Sequence, residues 1–245
     1  MANWSDPRPT AAPFGTSAAD TRGAAYDAGL RSYMLSVYNY MASGVLLTGI
    51  VALLFANSGL AAQVFMAPGI LKYVVIFSPL AFIMVLNFGL NRLSTGAAQL
   101  IFWAFAAVMG VSMSTIFLVY TGTSIAITFF ATAVAFLSLS IYGYTTKRDL
   151  SGMGTFLIMG VVGLIVASLL NLFFKSPAMA MVISAVGVLL FAGLTAYDTQ
   201  RIKSMYAYVA GTDMVGKAVI MGALSLYLDF INMFQFLLSF MGQRD

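Results

Sequence analysis

Cysteine, histidine and glutamate are all missing from this 245-residue chain. Without cysteine there is no disulfide, no thiolate metal site and no cysteine nucleophile. Without histidine the usual proton shuttle and the commonest transition-metal ligand are gone, and so is any serine protease with a histidine base. All eight acidic residues are aspartates. A bound metal would therefore be held by oxygen, which selects hard cations such as Ca²⁺ or Mg²⁺. Charge is scarce as well, at 8% of residues, where a soluble domain carries about 25%.

In its place stands apolar surface. The chain is 61% hydrophobic, with a mean hydropathy of +0.94. No water-soluble core of this size needs that much, so the sequence specifies an integral membrane protein. Seven apolar windows, about 33–56, 73–91, 97–119, 124–143, 153–174, 178–197 and 218–241, each reach the roughly 20 residues that cross a bilayer as a helix. The alternation of a membrane β-barrel is missing. The fold class is all-α, with seven transmembrane helices in one domain, 31–245. The tight 120–124 join predicts that the third and fourth helices form a hairpin, and Pro79 predicts a kink in the second. Gly110, Ser112, Ser114, Gly160 and Gly163 are placed for close helix approach. Residues 1–30 are rich in Pro, Ala, Ser and Thr, lack the apolar core of a signal peptide, and read as a disordered cytoplasmic tail.

Basic residues set the orientation. With the amino terminus inside, the inner segments hold Arg8, Arg22, Arg31, Arg92, Lys147, Arg148, Arg201, Lys203 and Lys217; the outer ones hold only Lys72, Lys175 and Arg244. The bias places the amino terminus in and the carboxy terminus out. The net charge of +4 is thus topology and lipid contact, and nucleic acid is not an expected partner.

Against this background one residue stands out. Asp229 is the only formally charged residue inside any long apolar run. A carboxylate in hydrocarbon costs several kcal/mol and marks function by default. Gly222, Ser225, Asp229, Asn232, Phe236 and Ser239 are spaced by three and four, so they form one small, polar stripe that turns from lipid towards the protein. Ser184, Gly187, Phe191, Thr195 and Asp198 form a matching stripe on the sixth helix. Asp198 lies where that apolar run ends, and the 204–217 loop is short enough to make the two helices neighbours. Two carboxylates in contact share a proton and titrate as a unit, and fully ionised they make a double-negative oxygen cage. The predicted site is the pair Asp198 and Asp229, sensing pH or ligating a cation, with Thr195, Ser225 and Asn232 in support. Arg92, at the inner end of the second helix, is a candidate counter-charge; a positive-inside anchor is its other reading.

Two segments carry a family resemblance. Ala196-Tyr-Asp-Thr-Gln-Arg-Ile-Lys203, followed by Ala223-Leu-Ser-Leu-Tyr-Leu-Asp-Phe-Ile-Asn232, resembles the paired signature of the transmembrane Bax inhibitor motif family, and Phe105–Phe117 is similar to its third-helix segment. The resemblance covers about 33–241 and is to the bacterial branch. It implies six helices around a central seventh and a pH-sensitive Ca²⁺ leak. It also implies that Asp198 and Asp229 form the pH-sensing pair, latched by Arg92, in a bacterial inner membrane. No permanently bound cofactor is expected, only Ca²⁺ and protons in transit. Two other readings stand beside this one. One is a non-transporting regulator that binds a membrane protease or another integral partner. The other is an intramembrane aspartyl protease, although Leu226-Tyr-Leu228 precedes Asp229 where those enzymes carry Gly-x-Gly; the expectation is therefore a non-enzyme. A retinal photoreceptor is disfavoured, because the last window has no lysine for a Schiff base.

Overall fold

The computed structural model describes residues 18–89 and 92–244, with side-chain surroundings from residue 23 onward. Every apolar window of the sequence forms a helix. The spans are α1 (Ala18–Asn57), α3 (Leu71–Gly89), α4 (Thr95–Met113), α5 (Gly122–Thr145), α6 (Ser151–Phe174), α7 (Pro177–Val209) and α8 (Val215–Met241). All seven are long and apolar enough to cross a membrane. A short α2 (Leu60–Met66) joins α1 to α3, and a 3₁₀ segment, Ser114–Leu118, extends α4. Among the described residues there is no strand, only an isolated bridge between Tyr120 and Arg244. The protein is therefore a multi-pass, all-helical membrane protein. Pro79 lies inside α3, which runs on through it.

Lipid, not water, explains where the side chains go. The six outer spans are 11–39% buried, whereas 67% of the α8 window is buried. Leu, Ile and Phe on the outer faces of α3, α5 and α6 are exposed, as hydrocarbon contact permits. The α8 helix packs directly on α1, α4, α5 and α7; α3 packs chiefly on α4, and α6 on α7. Four of the six helices expected around α8 thus pack on it directly, and α3 faces it across a cavity. The predicted α4–α5 hairpin is also corrected. The turn at 120–122 is tight, but the 3₁₀ segment redirects the chain. As a result α4 joins α1 and α3 while α5 joins α7 and α8.

Small residues bring the backbones together at chosen points. A Cβ on Gly143 would run into the Ala196 carbonyl of α7. One on Gly110 would lie 2.7 Å from the Thr48 carbonyl oxygen of α1. Gly163, by contrast, has nothing within 4 Å and makes no close approach. Near Gly110, the Thr48 hydroxyl donates to Ala106 O at 2.8 Å and meets the Tyr227 hydroxyl at 2.6 Å, tying α1 to α4 and α8 in the core.

Two helices overrun the bilayer. At 1.5 Å per residue α1 is roughly 60 Å long and α7 roughly 50 Å, against a hydrocarbon core of about 30 Å. Their projecting ends dock on each other: the rings of Tyr26 and Tyr33 lie tilted against Tyr206 at 5.2 and 5.3 Å, and Leu30 is buried. Residues 18–30 are therefore helical where composition predicted a tail, because this aromatic contact gives them something to bury; residues 1–17 lie outside the described residues. The opposite end of the bundle is closed by the carboxy-terminal strap. There Thr121 N donates to Gln243 O (3.1 Å), Gln243 N donates to Ser124 Oγ (2.9 Å), and Arg244 lies over the Tyr120 ring.

Candidate functional site

The α7–α8 pair is antiparallel, and its register is fixed by contacts along its length. Near the strap Ser184 donates to Ser239 at 2.9 Å. Next, a Cβ on Gly187 would lie 2.6 Å from the Phe236 ring, which stacks on Phe191 at 5.8 Å. Near the basic end a Cβ on Gly222 would meet Ile202 at 3.1 Å. The two small, polar stripes predicted from three-and-four spacing therefore do face each other. Carried along the pair, this register sets Thr195 beside Asp229. It sets Asp198 beside Ser225 and Leu226, one helical turn or about 5 Å nearer the basic end.

The two carboxylates are not equivalent. Asp229 is 4% exposed, and its Oδ2 is buried without a hydrogen-bond partner among the described residues. The nearby polar groups are engaged elsewhere: Thr195 donates to Phe191 O at 2.7 Å, and Asn232 Nδ2 donates to Leu228 O at 2.8 Å. An unmet acceptor of this kind costs about 1–3 kcal/mol, so the fold does not gain from it. Asp198 is half-buried and lines a cavity of about 300 Å³ between α3, α7 and α8. Asn87, Arg201 and Ser225 supply the cavity's other polar groups.

The sequence places Asp198 at a helix end, but α7 continues to Val209. Asp198 is therefore an interior helical residue and does not oppose a helix C-terminus. The continuation is driven by a face that keeps its spacing after the hydropathy falls: Ile202 is buried, and Met205, Tyr206 and Val209 pack on the core. Arg201, one turn from Asp198 on the same helix, lines the same cavity, and the two make no ion pair within 4.0 Å. Sequence reasoning took Arg201 as a marker of water; its i+3 spacing from Asp198 was the available signal. Arg92 is exposed in the turn after α3, and among the described residues it makes no ion pair within 4.0 Å. Its backbone N–H caps Gly89 O at 2.9 Å.

The arrangement offers two carboxylates one turn apart, one opening on a cavity with a few polar groups and one beyond it in the core. Among the described residues no group of three or more acidic side chains exists. A cation at the pair would complete its shell with neutral oxygens, and Ser225 and Thr195 are the hydroxyls at hand.

The family described as "Inhibitor of apoptosis-promoting Bax1" matches residues 30–245. An uncharacterized protein of Rickettsia prowazekii is 47% identical over 220 residues, 89% of this chain and 92% of its own length. One from Caulobacter vibrioides is 47% identical over 236 residues, covering 91% and 93%. The Escherichia coli inner membrane protein YbhL is 44% identical over 219 residues, covering 89% and 94%.

Proposed function

The chain belongs to the Bax inhibitor-like family of membrane proteins, and on that premise we propose that it is a pH-sensitive cation leak whose gate is the Asp198–Asp229 pair. The observation that carries the reading is Asp229 Oδ2, buried and without a hydrogen-bond partner among the described residues, one turn beyond a carboxylate that lines a cavity. Mutually felt negative charge in a low dielectric favours a bound proton or a bound cation at the pair. Protons and Ca²⁺ then compete for the same oxygens, which makes flux depend on pH. Ca²⁺ is the cargo here, held in passing by Asp198 and Asp229 with hydroxyl and backbone oxygens.

Protonation also removes the charge that holds an arginine. In this conformation Arg201 lines the same cavity as Asp198, and the two make no ion pair within 4.0 Å. A latched state would bring Arg92 across from the end of α3 to Asp198. Release of Arg92 then lets α3, α7 and α8 repack around the cavity. The reading assigns passage of ions and no chemical turnover. It places the protein in a bacterial inner membrane with Lys147, Arg148, Arg201 and Lys203 on the cytoplasmic side.

Ca²⁺ flux into proteoliposomes between about pH 5 and pH 8 tests it. Asp198→Asn and Asp229→Asn should each flatten the pH dependence. Flux that keeps wild-type magnitude and pH profile in both variants eliminates the mechanism.

A further inference from the structure

Beyond the aspartate pair, α1 and α5 flank the same side of α8 but scarcely touch each other. The gap between them is a crevice that opens sideways on the membrane and runs along the bundle in three joined chambers. The first, about 490 Å³, lies between Arg31, Tyr38, Ser140 and Tyr144. It shares Tyr38 and Leu137 with a second of about 380 Å³, floored by Phe230 of the central helix. The second shares Val45, Phe129 and Phe230 with an inner one of about 80 Å³.

Polarity is graded along the crevice. At its mouth Arg31 is exposed and, among the described residues, makes no ion pair within 4.0 Å. Lys147 and Arg148 follow the end of α5 on the same side. Asp27, one turn before Arg31, faces the adjoining pocket that also holds Lys203. Past the mouth the lining is apolar, because the Thr48 hydroxyl is already bonded to Ala106 O and Tyr227. An apolar chamber of this kind does not hold water. The inner chamber also has no room for a helix, which is about 10 Å across with its side chains. An exposed arginine at the mouth of a narrow greasy channel matches one membrane component: a phosphate head on a flexible hydrocarbon chain.

We infer that the α1–α5 crevice is a phospholipid-binding site, with the phosphate at Arg31 and one acyl chain lying along Tyr38, Leu137 and Ala133 against Phe230 of α8. Arginine suits the role because its planar fork meets phosphate oxygens in pairs. The bound chain would complete the wall around α8 where α1 and α5 leave it open. This site does not depend on the leak reading.

Native mass spectrometry of the full chain, released from nanodiscs of palmitoyl-oleoyl-phosphatidylglycerol, tests the inference. The expected result is one phospholipid retained per chain. Arg31→Gln, at an exposed position, should reduce retention about tenfold, the size of one charge-assisted hydrogen bond. Ala133→Trp should abolish retention by filling the middle chamber. Ile158→Trp, on the lipid-facing side of α6, should leave it unchanged, and circular dichroism confirms that each variant folds. Palmitoyl-oleoyl-glycerol, which lacks phosphate, should be retained no better than by Arg31→Gln. Equal retention by wild type, Arg31→Gln and Ala133→Trp overturns the site. So does disulfide cross-linking of Leu46→Cys to Leu137→Cys between copies in the otherwise cysteine-free chain, which would mean that a second subunit covers the crevice.

Discussion

Replacing Asp229 with asparagine should make the protein more stable. Asp229 Oδ2 is buried and unpartnered among the described residues, and such a group costs about 1–3 kcal/mol. Insertion scales give a similar figure, about 2.5–3.5 kcal/mol for an aspartate at a helix centre in the membrane. An asparagine has the same shape and removes the charge. It also gains a donor that its own helix can satisfy, because Asn232 already shows the bond: its Nδ2 donates to Leu228 O four residues back, at 2.8 Å. At position 229 the equivalent acceptor is the Ser225 carbonyl. Removing the penalty should raise stability by about 1–3 kcal/mol, which for a chain of this length is a shift in midpoint of roughly 2–12 °C. The assay is thermal unfolding in detergent micelles near neutral pH, followed by far-ultraviolet circular dichroism, with Asn232→Asp as the converse variant. A midpoint for Asp229→Asn that falls by several degrees would refute the reasoning. It would mean that the carboxylate is a structural bond to a neighbour, leaving no free oxygen for a proton or a cation.

Two further outcomes are expected from other parts of the fold. Gly143→Ala places a methyl group against the Ala196 carbonyl, a backbone contact that cannot rotate away; it should destabilise by about 1–3 kcal/mol, read as a lower thermal midpoint, while Gly163→Ala, with open space around it, should be neutral. Asp149, in the α5–α6 loop, accepts from Ser151 N at 2.8 Å, and hydrogen bonds from the Ser151 side chain and backbone hold its carboxyl below the usual range. Its folded value lies below its unfolded one, so its contribution is complete above about pH 4 and is lost as pH falls through the lowered folded value. Asp149→Ala should therefore lower the midpoint at neutral pH and match wild type in strong acid.

The parts of the fold legible in the sequence were those with a strong period or a strong charge. All seven spans are visible as apolar runs, and the α7–α8 interface is visible because Ser184, Gly187 and Phe191 on one helix and Phe236 and Ser239 on the other keep three-and-four spacing. What escaped was set by partners rather than by local pattern. The start of α1 has polar composition, and only Tyr206, some 180 residues away, gives Tyr26 and Tyr33 a surface to pack on. The end of α7 was hidden because the run of charge at Asp198, Arg201 and Lys203 lowers the hydropathy while Ile202 keeps the buried face going. The separation of α4 from α5 depends on a 3₁₀ segment, and a tight join by itself is compatible with either arrangement. The exposed position of Arg92 depends on which way α3 leans, which no local spacing encodes.

The carboxy-terminal strap has a mechanical consequence. With Gln243 bonded to Thr121 and Ser124, and Arg244 laid over Tyr120, the far end of the central helix is fastened to the α4–α5 turn. A rod held at one end can only tilt about that end. Any swing of α8 is then smallest at Ser239 and grows towards Gly222, so a slight rotation at the fulcrum becomes its largest displacement beside Asp198. The helix is a lever whose free arm ends in the cavity.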